Sequence, residues 1–144
     1  MNIYEIIKFM KPNWHKYETN NDTEILTKNF NLEFPNDYLI FLQEMGEGSY
    51  QFNETLFSLW DTNSVIQYNK EYKIDSYLGN DLIGIGTDAG GICFLLDYRN
   101  TEKMNFSSIG LGDLDIEEIN ILADSFTSAL NLMIKGEITL DNII

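Results

Sequence analysis

Residues 84–100, GIGTDAGGICFLLDYRN, hold four of the chain's ten glycines in their first eight positions, grouped around Asp88. Three chemistries could use such a stretch: a phosphate cradle, a metal site, or a turn between strands. Gly84-Ile85-Gly86-Thr87-Asp88-Ala89 formally fits G-x-G-x-x-G/A. That fingerprint works only where a helix follows, because the pyrophosphate sits on the helix N-terminus. Here GGICFLLDY follows, and its apolar run reads as a strand. No GK[ST] is present for a Walker loop. The sequence therefore argues against nucleotide binding.

A metal site fares little better. Asp88 and Asp97 could approach across a hairpin, but two carboxylates do not define a site. Asp113-Leu114-Asp115-Ile116-Glu117 imitates the opening of a calcium loop. Glu118 stands where that loop needs glycine, and Asp124 where it needs a bidentate glutamate. Asp115 with Glu118 fits a helix capping box better. The remaining reading of the glycine stretch is a hairpin. Thr87-Asp88-Ala89-Gly90-Gly91 supplies positive-φ positions and an Asx-type side-chain bond. Gly84 and Gly86 on the incoming strand allow a bulge or a close approach. His15, the one histidine, has no nucleophile beside it, and Cys93 lies in an apolar run that suits a buried thiol. No G-x-S-x-G elbow exists. No catalytic set, metal or cofactor is expected, and the chain reads as a non-enzyme.

The elements that must position these groups follow from periodicity. Ile3, Ile6, Ile7 and Met10 share a helical face closed by Pro12. Asp22 or Thr23 caps a second helix with Ile25, Leu26 and Phe30 inward. Pro35 opens a third, PNDYLIFLQEM, with Tyr38, Phe41, Leu42 and Met45 inward and Gly46 at its end. SYQF and TLFSLW form a hairpin about Asn53–Glu54, with Trp60 in the core. Asp61-Thr62-Asn63-Ser64 offers caps for a helix over VIQYNKEY. LIGIG, ICFLLDY and KMNFSSI are further strands, ICFLLDY buried on both faces. GDLDIEEINILADSFTSALNLMI reads as one long helix ending at Gly136, with Ile119, Leu122, Phe126, Leu130 and Met133 as its stripe. EITLDNII is a tail or short strand. The expected architecture is a single α+β domain over residues 1–144. N-terminal helices precede a mostly antiparallel sheet of five or six strands, and a long C-terminal helix packs on it.

Charge narrows the partner. The chain of 144 residues carries 9 basic and 23 acidic residues, a formal net charge of −14. Residues 1–30 are balanced, so the excess lies in residues 31–144. Such a field repels nucleic acid and anionic lipid and speeds encounter with basic proteins. One cysteine leaves no internal disulfide and suits a reducing, cytoplasmic setting. The segment MNIYEIIKFMKPNW has neither a basic start nor a small-residue cleavage site, so no signal peptide is expected. No apolar run is long enough to span a membrane. The Ile, Asn and Lys bias, with Arg99 the only arginine, points to an AT-rich bacterial genome.

Three segments, in order, resemble the SUKH superfamily, whose members include yeast cell-wall-assembly regulators and bacterial immunity proteins. FNLEFPNDYLIFLQEMGEG resembles the family's LP-x-x-(Y/F) opening through Pro35, Tyr38, Phe41, Leu42 and Gly46, with Phe34 in place of the usual leucine. LIGIGTDAGGICFLLDY matches its G-x-D-x-GG segment through Gly86, Asp88, Gly90, Gly91, Phe94 and Asp97. ADSFTSAL matches its late helix through Phe126 and Leu130. The resemblance covers roughly residues 20–134 and implies helices around a mixed or antiparallel sheet. It also implies an immunity protein that binds a secreted toxin, often a nuclease, or a scaffold or regulator of the same fold. The family's shared residues mostly build the fold. The candidate partner contacts are therefore the loop acids and aromatics Glu44, Glu47, Tyr50, Asp61, Asp88, Asp113, Asp115 and Glu117.

Overall fold

The computed structural model describes residues 1–17 and 19–143. Helix α1 (Ile3–Met10) starts at a capping box, in which Asn2 accepts from the Glu5 amide and donates its own to Glu5. A short strand β1 (His15–Lys16) follows. Asp22 caps α2 (Thr23–Phe30) by accepting from the Glu24 and Ile25 amides. Within α2 only Leu26 is fully buried; Ile25, expected inward, is exposed. Helix α3 (Asn36–Met45) follows Pro35, buries Tyr38, Phe41, Leu42 and Met45, and stops at Gly46.

Strands β2 (Gly48–Phe52) and β3 (Thr55–Leu59) form the expected hairpin, with Asn53 at φ 49°. Helices α4 (Thr62–Glu71) and α5 (Ile74–Leu78) precede β4 (Leu82–Thr87), β5 (Ile92–Asp97) and β6 (Asn105–Gly110). Strand β7 (Asn120–Ala123), α6 (Phe126–Ile134) and α7 (Leu140–Ile143) complete the described residues. Among the described residues the sheet is antiparallel throughout and has seven strands, not five or six, in the order β1-β2-β3-β4-β5-β6-β7.

The single long C-terminal helix does not form. Residues 116–118 make a 3-10 turn, residues 120–123 join the sheet, and α6 starts only at Phe126. Ser125, extended and accepting from the Ser128 amide, is the real cap. The Asp115 and Glu118 capping box is corrected with it: Asp115 caps the 3-10 turn by accepting from the Glu117 amide. Of the segment expected as a tail or strand, residues 137–143 hold α7, and residue 144 lies outside the described residues.

Helices cover both sheet faces. On one face a row of rings runs across the strands: Phe57 on Phe94 at 5.6 Å and Phe94 on Phe106 at 5.6 Å, with Phe126 of α6 and Phe41 of α3 seated above, 5.4 Å apart. Asp37 ties these two helices, since its Oδ2 accepts from the Thr127 amide and hydroxyl at 2.9 and 2.7 Å. On the other face Ile74, Trp60 and Cys93 close over Gly84.

The joint between β3 and β4 is the tightest point of the sheet. A Cβ on Gly86 would collide with the Ser58 carbonyl, so only glycine lets the strands meet there. Between Gly84 and Gly86 the register of β4 on β5 shifts by a bulge. Trp60 donates its amide to Ile85, and the next backbone groups of β4 lose β3 as a partner. The buried Asn69 side chain replaces it. Its Nδ2 donates to the Gly84 carbonyl at 2.8 Å, and its Oδ1 accepts from the Gly84 amide at 2.8 Å. The same Nδ2 donates to Val65 at 2.7 Å, which anchors the bracket in α4.

Replacing Asn69 by Leu leaves both Gly84 groups buried without partners. The expected loss is about 3 kcal/mol, since each orphaned group costs about 1–3 kcal/mol. Thermal melting of Asn69→Leu should fall by about 10 °C, and a fall of only a degree or two would show that the bracket is dispensable.

Candidate protein-binding surface

The sheet sorts the candidate residues into two separated groups. At one end lie Glu44, Glu47 and Asp61. Asp61 is 6% exposed and caps α4. Its Oδ1 accepts from the Ser64 amide at 2.8 Å and its Oδ2 from the Asn20 amide at 2.7 Å. Its own amide donates to Glu47 Oε1 at 3.2 Å. The Glu47 amide in turn donates to Thr19 Oγ1 at 3.0 Å, and the Glu47 carbonyl accepts from the Tyr17 amide. Asp61 and Glu47 thus hold the 19–22 loop against the start of α4. Asp61 is a buried cap, not an accessible acid, and Glu44 is the exposed carboxylate of this group. Tyr50 lies along β2, half-buried, with its ring 4.6 Å from Phe52.

At the opposite end the β4–β5 turn and the 111–119 loop lie together. Asp88 Oδ1 accepts from the Gly90 amide at 2.8 Å and the Ile92 amide at 3.0 Å, which shapes the turn. Ala89 at φ 62° and Gly91 at φ 100° complete it. The Leu111 amide donates to the Gly91 carbonyl at 2.8 Å and lays the loop beside the turn. Asp113, Asp115 and Glu117 are exposed on that loop. Glu118 joins them and, with Asp113, lines a shallow hollow of about 220 Å³ beside Ile92. The Asn53–Glu54 hairpin tip points the same way, because Ser58 pairs with Thr87 and β3 runs back past the turn. Glu54 and Glu118 are the members of this group that the sequence reading missed. Ile116 stands among the loop acids and is 44% exposed.

No basic residue pairs with these acids among the described residues. Among the described residues the one ion pair is Arg99 with Asp97, on the far side of the sheet. No lysine or arginine occurs between Asn29 and Asn69, nor between Met104 and Ile134. No group of three His, Cys, Asp or Glu among the described residues could hold a metal ion. Asp88 and Asp97 sit at opposite ends of the β4–β5 hairpin, so they cannot share one. Cys93 is buried, and burial pushes its thiol up to about 12. His15 is exposed on β1 with its ring edge-on to Tyr17.

The residues of the three sequence motifs converge on the core and its turns. Tyr38 and Phe126 pack edge to face at 5.5 Å, Gly46 reverses the chain after α3, Gly86 permits the β3–β4 contact, and Asp88 with Gly91 builds the turn. The profile of the SMI1/KNR4 family (SUKH-1) matches residues 18–132. The chain belongs to that family. Comparison with curated proteins found no significant match.

The SUKH-1 match spans everything from the 19–22 loop to α6, while α1 lies outside it. Two of its motif residues carry testable physics. Asp97 closes β5 and is 1% exposed. Its Oδ1 accepts from the Arg99 amide and Nε, and its Oδ2 from Arg99 Nη2 and Ser107 Oγ. Burial pushes the Asp97 carboxyl up, but the Arg99 bonds and charge, with Ser107, outweigh it and hold it below its ordinary 3.8. A carboxyl lowered on folding contributes stability that is present above its unfolded pKa and lost as pH falls through the folded one. The wild type should therefore lose stability more steeply than Asp97→Asn as pH drops below 3.8. Parallel acid limbs in thermal melts of the two proteins would contradict this.

The Tyr38 hydroxyl is the other case. It is wholly buried and, among the described residues, is the one buried side-chain polar atom without a partner. Burial first, then Tyr98 and Asp61, pushes its ionisation far above the usual tyrosine range. Since an unsatisfied buried hydroxyl costs about 1–3 kcal/mol, Tyr38→Phe should keep or raise the melting temperature. A marked drop would reveal a partner for that hydroxyl.

Proposed function

We propose that this SUKH-1 protein is an immunity protein. It binds a bacterial polymorphic or contact-dependent toxin, a basic nuclease, and neutralises it by occupation rather than by chemistry. The supporting observation is the uncompensated end of the sheet, where Asp88, Asp113, Asp115 and Glu117 gather with Glu54 and Glu118. A field of one sign on a rigid scaffold raises the rate of encounter with a basic partner. The resemblance to immunity-type SUKH proteins supplies the class of partner. A non-toxin scaffold or regulator is the second reading, and it would use the same surface on weaker and more varied clients.

The two readings separate in one experiment. The protein is used as bait in lysate of its native host at low and then high salt, and captured proteins are identified by mass spectrometry. A single basic domain whose expression arrests growth, with growth restored on co-expression of this chain, supports the immunity reading. Several housekeeping proteins, harmless when expressed, support the scaffold.

The surface itself is tested with that toxin domain. Asp113→Lys, Glu117→Lys and Glu118→Lys together should slow association by about tenfold or more at low salt, with dissociation much less affected. These residues are exposed and outside the bonds that shape the Asp88 turn. An unchanged association rate in stopped-flow would remove this end from the interface.

A further inference from the structure

A cleft of about 510 Å³ lies between the C-terminus of α2, helix α4 and the step from α5 into β4. Leu82, at its base, pairs with Asp97, so the cleft sits at the end of the β4–β5 hairpin opposite the Asp88 turn. Its size falls within the roughly 300–1,000 Å³ of small-molecule sites. Phe30, Leu32 and Ile66 line it and are half-buried, which leaves an apolar floor open to solvent. The walls are fixed to the sheet. Asn69 bonds α4 to Gly84 of β4. Tyr98 donates its amide to the Asp81 carbonyl at 2.7 Å. Gly79, at φ 87°, turns the chain from α5 toward β4. The cleft is therefore formed before any ligand arrives.

Charge on the rim selects the ligand. Lys70 of α4 contributes an ammonium, and Asp75 of α5 and Asp81 before β4 contribute carboxylates. All three are exposed, and none joins an ion pair among the described residues. Asp75 Oδ1 accepts from the Ser76 amide at 2.9 Å, which fixes that carboxylate on the first turn of α5. Opposite charges held apart over one apolar floor are complementary to a molecule that carries both signs. A simple cation would meet Lys70, and a simple anion would meet two carboxylates. An α-ammonium group has three N–H donors, enough for both carboxylates and one carboxamide oxygen. Asn29 and Asn80 stand on the rim and supply such carboxamides.

We propose that this cleft binds a small zwitterion with an apolar body, the chemistry of an apolar α-amino acid or its dipeptide. The ligand's ammonium lies toward Asp75 and Asp81, its carboxylate toward Lys70, and its side chain on Phe30, Leu32 and Ile66. The site is separate from the acidic end assigned to the toxin, and neither reading depends on the other.

The probes are leucine and leucyl-leucine, titrated into the full-length protein and followed by amide shifts in NMR. The expected result is saturable binding of at least one, with perturbations concentrated on residues 29–32, 66–70 and 79–83. The tighter of the two identifies the source as a free amino acid or a peptide. Isoamylamine, which lacks the carboxylate, and isocaproate, which lacks the ammonium, should each bind about tenfold more weakly or worse. Lys70→Met should weaken the zwitterion by about tenfold and leave isoamylamine no weaker. Asp81→Asn should weaken the zwitterion to a similar degree and leave isocaproate no weaker. Both residues are exposed, so the variants should melt with the wild type, which separates lost binding from lost folding. Absence of saturable shifts, perturbations centred elsewhere, or indifference to both substitutions would overturn the proposal. So would isoamylamine binding as tightly as leucine, since the cleft would then be a plain cation site.

Discussion

The contact between β3 and β4 governs the rest of the sheet. At Gly86 the two backbones come so close that no side chain fits; Ile85 still accepts from the Trp60 amide, and by Gly84 they have parted. The Asn69 side chain fills the breach by presenting an amide to Gly84 as a neighbouring strand would. A side-chain amide can do this because it holds an N–H and a C=O in the spacing of a peptide group, and its second N–H is left for Val65. The bulge that results sets the register of β4 on β5 and so the place of the Asp88 turn. It also brings Gly86 opposite Phe94, which leaves room for Phe57 and Phe94 to touch across a strand that has no side chain there. The aromatic row, the turn and the acidic end all follow from one pair of hydrogen bonds and one missing Cβ.

Carboxylates in this protein fall into two kinds, told apart by what they accept. Asp22, Asp61, Asp88 and Asp97 take two or more hydrogen bonds each from nearby amides or from Arg99, and they shape loops and helix starts. Glu44, Glu54, Glu117 and Glu118 lie at the surface. Their charge is offset only by water and salt, and their influence reaches outward over roughly a Debye length of about 8 Å at physiological ionic strength. The first kind gives the second a rigid frame, so the outward field has a fixed direction.

Much of this was legible in the chain. Ile3, Ile6, Ile7 and Met10 gave their helix by spacing, Pro35 and Gly46 bounded α3, and the glycine stretch read as the hairpin it forms. Failure came where two periods overlapped. Ile119, Leu122 and Phe126 lie at helical intervals, so β7 was absorbed into the helix that follows it. Four residues are too few for alternation to declare itself, and the extended Ser125 cap could be recognised only once the strand beside it was known. Ile25 satisfied the helical stripe but fell outside it because α2 turns Leu26 into the core, with Phe30 half-buried against Phe34. Asp61 was named both as a cap and as a surface acid, and those roles compete for the same oxygens. Asn69 carried no signal at all, because nothing in a sequence marks an asparagine that will stand in for a strand.

Strand order equals chain order in this sheet. As the chain leaves the ribosome, each new strand finds its neighbour already made, and the sheet can widen one strand at a time. Phe57, Phe94 and Phe106 therefore leave the ribosome before Phe126 does. Until α6 emerges, the nascent protein shows solvent, or any holdase within reach, an aromatic ridge that Phe41 of α3 covers only in part. Its period of greatest vulnerability to aggregation thus falls in the interval between completion of β6 and closure by α6.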